Sequence, residues 1–167
     1  MNFATWFATH LSFLPPQLAV LIVSMVPLVE LRGGIPLARL LELPLSEALI
    51  FSGIGNVIPI PFILLFIEKI FQWMKKIKYL EKFPHWCEKK ALKHSDQIKK
   101  YGYLGLYLFV AIPLPGTGAW TGSLLAVLLG LKRGKSLLFI FLGVLTAGLI
   151  MSLVSYGALN SILDLFK

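Results

Sequence analysis

The chain has 167 residues, 57% of them hydrophobic and 14% charged, with a mean hydropathy of +0.79. A soluble domain is closer to half apolar and a quarter charged, so apolar runs of about 18 residues or more here exclude one and indicate an integral membrane protein. The net charge of +8 is concentrated between Lys69 and Lys100, which matches a cytoplasmic loop under the positive-inside bias, facing anionic head groups, and excludes nucleic acid as the partner.

Residues 1–14 (MNFATWFATHLSFL) carry no positive n-region and no small-residue cleavage site, which argues against a cleaved signal peptide. Phe3, Trp6, Phe7, His10, Leu11 and Phe13 predict instead a short helix lying in the membrane interface. A first repeat follows over 16–73. Gln17 to Val29 reads as an apolar helix, and Glu30-Leu31-Arg32-Gly33-Gly34-Ile35-Pro36 as an unwound loop at 30–36. Adjacent glycines and a proline without an N–H disfavour an ordinary helix. A short run, Leu37 to Leu43, ends at Pro44. Each piece is roughly half a bilayer long at about 1.5 Å per residue, so the pattern predicts a re-entrant helix–loop–helix.

Ser46 to Trp73 is long enough to cross completely, with a kink expected among Gly53, Gly55, Asn56, Pro59 and Pro61. Asn56 must face protein or a cavity, for a helix–helix hydrogen bond or a substrate contact, because lipid offers an amide no partner. The basic segment 74–100 interleaves Ile77, Leu80, Phe83, Trp86 and Leu92 with lysines, and Pro84 is expected to divide it into two short amphipathic helices. His85, Cys87 and His94 fit no standard zinc spacing, and the single cysteine allows no internal disulfide. No cofactor is implied.

The second repeat spans 101–160. An apolar stretch reaches Ile112, breaks over Pro113-Leu114-Pro115-Gly116-Thr117-Gly118 (113–118), resumes from Ala119 to Leu131 and turns at Lys132-Arg133-Gly134-Lys135. Ser136 to about Leu159 then spans.

Pro27–Gly55 aligns with Pro115–Gly143 without a gap, with ten identities in twenty-nine positions, among them Pro27/Pro115, Gly34/Gly122, Phe51/Phe139 and Gly55/Gly143. Charge sets the orientation of each copy. The basic turn 132–135 belongs inside with the lysine segment 75–100, whereas the corresponding turn of the first copy, with Glu42 and Glu47 and no lysine, can lie outside. The fold class expected is therefore an all-α membrane protein built as an inverted repeat. Two re-entrant helix–loop–helix elements are each followed by a transmembrane helix, with a cytoplasmic amphipathic helical segment between them and both termini outside. Breakers at membrane depth in both halves are the sequence pointer to a transporter site.

Glu30 and Arg32 lie at that depth, where an ionisable group costs about 2.5–3.5 kcal/mol on insertion scales. Arg32 offers a planar fork of donors to an anionic group, and Glu30 can take up and release a proton. The alternative is a structural Glu30–Arg32 pair. In the second copy Pro115, Gly116, Thr117 and Gly118 precede a half-helix whose N-terminus suits an anion, with Thr117 or Thr121 adding a hydroxyl and Trp120 a wall. Gly33, Gly34 and Arg39 complete the candidate set, although Arg39 can also snorkel outward.

The segments ELRGGIP (Glu30–Pro36) and IPLPGTGAWTG (Ile112–Gly122) resemble the small multidrug export protein family, related to the DedA/VTT (SNARE-associated) superfamily. The resemblance covers about residues 16–160 and implies two opposed re-entrant loops. It also implies lipid translocation dependent on proton motive force, such as flipping of undecaprenyl phosphate in bacteria, with functional acidic and arginine residues at the loops; Glu30 and Arg32 match in kind. The second loop carries no arginine. The expected function is a non-enzymatic, multi-pass transporter of the inner (cytoplasmic) membrane, moving an anionic lipid or similar substrate; a homodimer would be reasonable for so small a protein. Rival readings are multidrug or cation efflux through Glu30, and a membrane scaffold that docks a partner on its basic segment.

Overall fold

A computed structural model describes residues 14–157 other than 78, 93, 94 and 115. The interfacial helix expected at 1–14 lies outside these residues except for Leu14, as does the end of the second repeat at 158–160. The described chain is all-helical. Its helices are α1 (Pro16–Met25), α2 (Glu30–Leu40), α3 (Leu45–Lys75, interrupted at Ile58), α4 (Lys82–Leu92), α5 (Ser95–Ala111), α6 (Ala119–Leu128) and α7 (Arg133–Ser152), the last continued by a π-turn over Leu153–Gly157.

Two of these elements are long and apolar enough to cross a membrane: Leu45–Lys75, with mean hydropathy 2.2, and Arg133–Gly157, with 2.6. At 1.5 Å per residue they extend about 46 and 37 Å, beyond the roughly 30 Å hydrocarbon core. Ile50, Ile54, Phe62, Leu138, Leu145 and Leu149 stand exposed along them, an apolar surface that suits lipid and would be a liability in water.

The described residues fall into two compact units, 1–56 with 147–167, and 57–146, and the division lies inside α3 and inside α7. In the first unit, α1 and α2 pack as a hairpin. Its core is Ala19, Val20 and Val23 of α1 against Leu37 and Ala38 of α2, with Leu43 and Ala48. Tyr156 closes one edge, donating its hydroxyl to the Leu43 carbonyl at 2.9 Å. In the second unit α6 packs on the Pro59–Lys75 part of α3, and α5 carries a kink at Gly102 (φ 58). Tyr103 stacks on Phe139 of α7 with ring centroids 5.5 Å apart, and Tyr107 shares a 3.0 Å hydrogen bond with Thr146.

The first break is not where the glycines suggested. The chain turns at Val26–Val29, and residues 30–36 are helical, with Pro36 inside α2. Pro27 is the physical cause. It lacks an N–H and pushes Val26 into an extended conformation (φ −71, ψ 129), which ends α1. Gly33 and Gly34 serve packing: a Cβ on Gly33 would collide with the Val29 side chain, and one on Gly34 with the Ser24 hydroxyl. Pro36 forfeits one hydrogen bond, a loss that helices in a bilayer tolerate where neighbours support them. Pro84, expected to divide the basic segment, instead sits in the first turn of α4, where the helix has no bond for a proline N–H to make.

The two aligned segments share local backbone structure in detail. After α2, Leu43 N–H donates to the Ala38 carbonyl at 2.9 Å around Glu42 in the left-handed region (φ 58). After α6, Leu131 N–H donates to the Ala126 carbonyl at 2.9 Å around Gly130 (φ 65). Both are Schellman-type helix ends. Glycine packing recurs as well. Gly55 of α3 meets the Leu21 carbonyl of α1, and its aligned counterpart Gly143 of α7 meets Val110 and the Tyr107 carbonyl of α5.

Candidate functional site

Left-handed backbone marks where the two aligned segments differ chemically. Three described non-glycine residues have positive φ: Leu28 (71), Glu30 (50) and Glu42 (58). In the alignment these face Gly116 (φ 86), Gly118 (φ 127) and Gly130 (φ 65), all glycines with positive φ. The second segment meets the demand of the turn with the residue that suffers no penalty. The first segment meets it with side chains, at a cost of about 1–2 kcal/mol per residue.

Glu30 is the most costly of the three to keep. It is the first residue of α2, only 4% exposed, and has left-handed backbone. Its charge acts on the guanidinium of Arg32, which is half-buried two residues further on. The unwound loop expected at 30–36 is replaced by a helix start, with Glu30 and Arg32 within electrostatic reach of each other. Backbone strain and a buried charge together single Glu30 out as a site candidate.

Gly33 and Gly34 of the candidate set bring α2 close to the turn and to α1, as described. Arg39, further along α2, has its guanidinium carbon 5.4 Å from the centroid of the Tyr156 ring, a cation–π contact within the first unit.

The second loop holds itself together. The Thr117 hydroxyl is 2.9 Å from both the Ile112 and the Leu114 carbonyls, and it accepts the Leu114 N–H at 3.2 Å. This hydroxyl, expected to face a substrate, braces the turn. Gly116 and Gly118 supply its left-handed backbone, and Gly118 precedes α6 with no side-chain cap. Trp120 and Thr121 are half-buried in the first turn of α6, and Pro115 lies outside the described residues. Glu30 to Arg39 belong to the first unit and Gly116 to Thr121 to the second.

Elsewhere in the second unit, a cavity of about 240 Å³ is lined by Glu68, Phe71, Gln72, Lys75, Glu88 and Leu124, among others. Lys75 Nζ lies 2.7 and 2.9 Å from the two oxygens of Glu88. With two carboxylates to one ammonium, this cavity does not favour an anion.

The family model described as "Putative small multi-drug export protein" matches residues 30–150. The chain belongs to this family. No curated protein and no solved structure matches it. Family membership makes the protein a small membrane transporter and not a member of an enzyme family, consistent with the two apolar helices long enough to span. For this export-family member, the match begins at Glu30 and includes both turns between the short helices and the spans. Sequence reading singled out Glu30 and Arg32 but missed Leu28 and Glu42. The signal was present in the alignment, where each faces a glycine.

Proposed function

We propose that this export-family member translocates an anionic, phosphate-bearing lipid of the undecaprenyl phosphate type across the inner membrane. Arg32 meets the anion and Glu30 carries a coupled proton. The observation that carries this reading is Glu30 itself, a buried carboxylate at a left-handed position where the aligned copy has Gly118. An arginine beside a titratable acid suits a substrate that brings negative charge into a poorly hydrated space. The uncapped start of α6 after Gly118 offers a second place where negative charge is favoured.

The architecture proposed with it is the inverted pair of re-entrant loops, α1–α2 and the last part of α5 with α6, each followed by a span. Short paired helices of about half a bilayer, the shared turn geometry and the basic turn at Lys132–Lys135 support that reading. The lysine segment 75–100 then faces the cytoplasm.

Flux in reconstituted vesicles tests the substrate. Vesicles carrying the protein are expected to move a fluorescent polyprenyl phosphate faster than empty ones, and Arg32→Ala, folded by size-exclusion chromatography, to lose at least tenfold of that acceleration. Transport of a cationic dye with no effect on the lipid phosphate would place the protein among cation exporters instead.

A further inference from the structure

Beyond the charged pair, the first unit holds a buried cluster of oxygens. Ser24 of α1, Gly34 of α2, and Ser52 and Gly55 of α3 are buried and meet where the three helices approach, and Asn56, next to Gly55, is buried as well. The position a Cβ on Gly34 would take lies in the space of the Ser24 hydroxyl and 3.0 Å from Ser52 Oγ, so both hydroxyls border one point. Gly55 presses on Leu21 and Ser24 of α1. Asn56 stands one helical turn from Ser52, on the same face of α3.

Two of these groups have no hydrogen-bond partner among the described residues. Ser52 Oγ (0% exposed) and Asn56 Oδ1 (1% exposed) are fully enclosed and unsatisfied. A buried polar atom left unpaired is destabilising, and native structures keep such atoms for a reason. Ser24 sends its proton to the Val20 carbonyl at 2.8 Å and so keeps only lone pairs for the cluster. The amide oxygen of Asn56 is likewise only an acceptor. Ser52 brings one proton of its own, so the lone pairs of Ser24, Ser52 and Asn56 outnumber the donors the three side-chain oxygens supply.

Two further features have the sign to attract a cation. Ser24 lies in the last turn of α1, whose carbonyl end carries negative partial charge. Glu30 lies four residues before Gly34, at the start of α2. We propose that Ser24, Ser52 and Asn56 form a site for a compact monovalent metal cation of Na⁺ size. Oxygen ligands at the end of a broken helix are the usual way a transporter holds such an ion.

The test reads binding without transport, so it stands or falls independently of the lipid substrate. Thermal unfolding of the purified protein in detergent is followed in Na⁺, K⁺ and choline chloride at equal ionic strength. Saturating Na⁺ is expected to raise Tm over choline by about 2–4 °C, more than K⁺ does. Ser52→Ala and Asn56→Leu should abolish the rise, and Ser155→Ala, outside the cluster, should keep it. Ser52→Ala removes one oxygen without adding bulk, so it decides the matter even if Asn56→Leu fails to fold. Equal Tm in the three salts, a larger K⁺ response, or a Na⁺ response undiminished in Ser52→Ala overturns the proposal.

Discussion

At the scale of single residues, the informative positions are those where one aligned segment has glycine and the other has a side chain. Glu42 and Gly130 end equivalent helices through the same bonds, with φ 58 and 65. Glu42 is exposed and nothing lies within 4 Å of a Cβ on Gly130, so only backbone conformation separates the two. Glu42→Gly should then stabilise the protein by about 1 kcal/mol and Gly130→Ala destabilise it by a similar amount, measured by thermal or denaturant unfolding. The second break was legible in the sequence because prolines and glycines fill it. The first was misread because Leu28 and Glu30 occupy its left-handed positions, while the conspicuous Gly33-Gly34 pair lies inside a helix. Asn56 was expected to face protein or a cavity, and it is buried. That its neighbour Ser52 would also be unsatisfied depends on which turn of α3 meets α1 and α2, which is a tertiary fact.

Among elements, close approach of helices explains the aligned glycines that a short identity count could only register. Gly55 and Gly143 each bring a spanning helix against the backbone of the short helix before the break. Without a hydrophobic drive between helices in lipid, such contact is a main source of association. Gly55→Ala places its methyl on a backbone carbonyl that cannot swing away. It is expected to cost about 1–3 kcal/mol or more and to lower the yield of folded protein. Gly53→Ala on the same helix, where nothing lies within 4 Å, should be neutral or slightly stabilising. Comparing the two variants by unfolding in detergent separates helix packing from helix propensity. The long spans were easy to read from hydropathy alone, because twenty or more apolar residues leave little choice. The short paired helices were not, because their length is set by turns whose residues differ between the copies.

For the whole molecule, the family assignment makes the protein a membrane transporter, and the orientation is a separate physical question. If the positive-inside bias holds, the lysine-rich helix α4 faces the cytoplasm. Cys87 is the chain's single cysteine and lies half-buried on α4. An impermeant maleimide should label it only after the membrane is opened, whereas labelling of intact cells would reverse the side assigned to every loop. The central claim is that residue 30 accepts backbone strain to hold a working carboxylate. Glu30→Gly tests it most directly, because it supplies the residue that the aligned copy already has. The account predicts that unfolding stability is kept or raised, by up to about 1–2 kcal/mol, while lipid-phosphate flux falls to that of empty vesicles. Undiminished flux in Glu30→Gly, or a folded state lost together with the carboxylate, would contradict it.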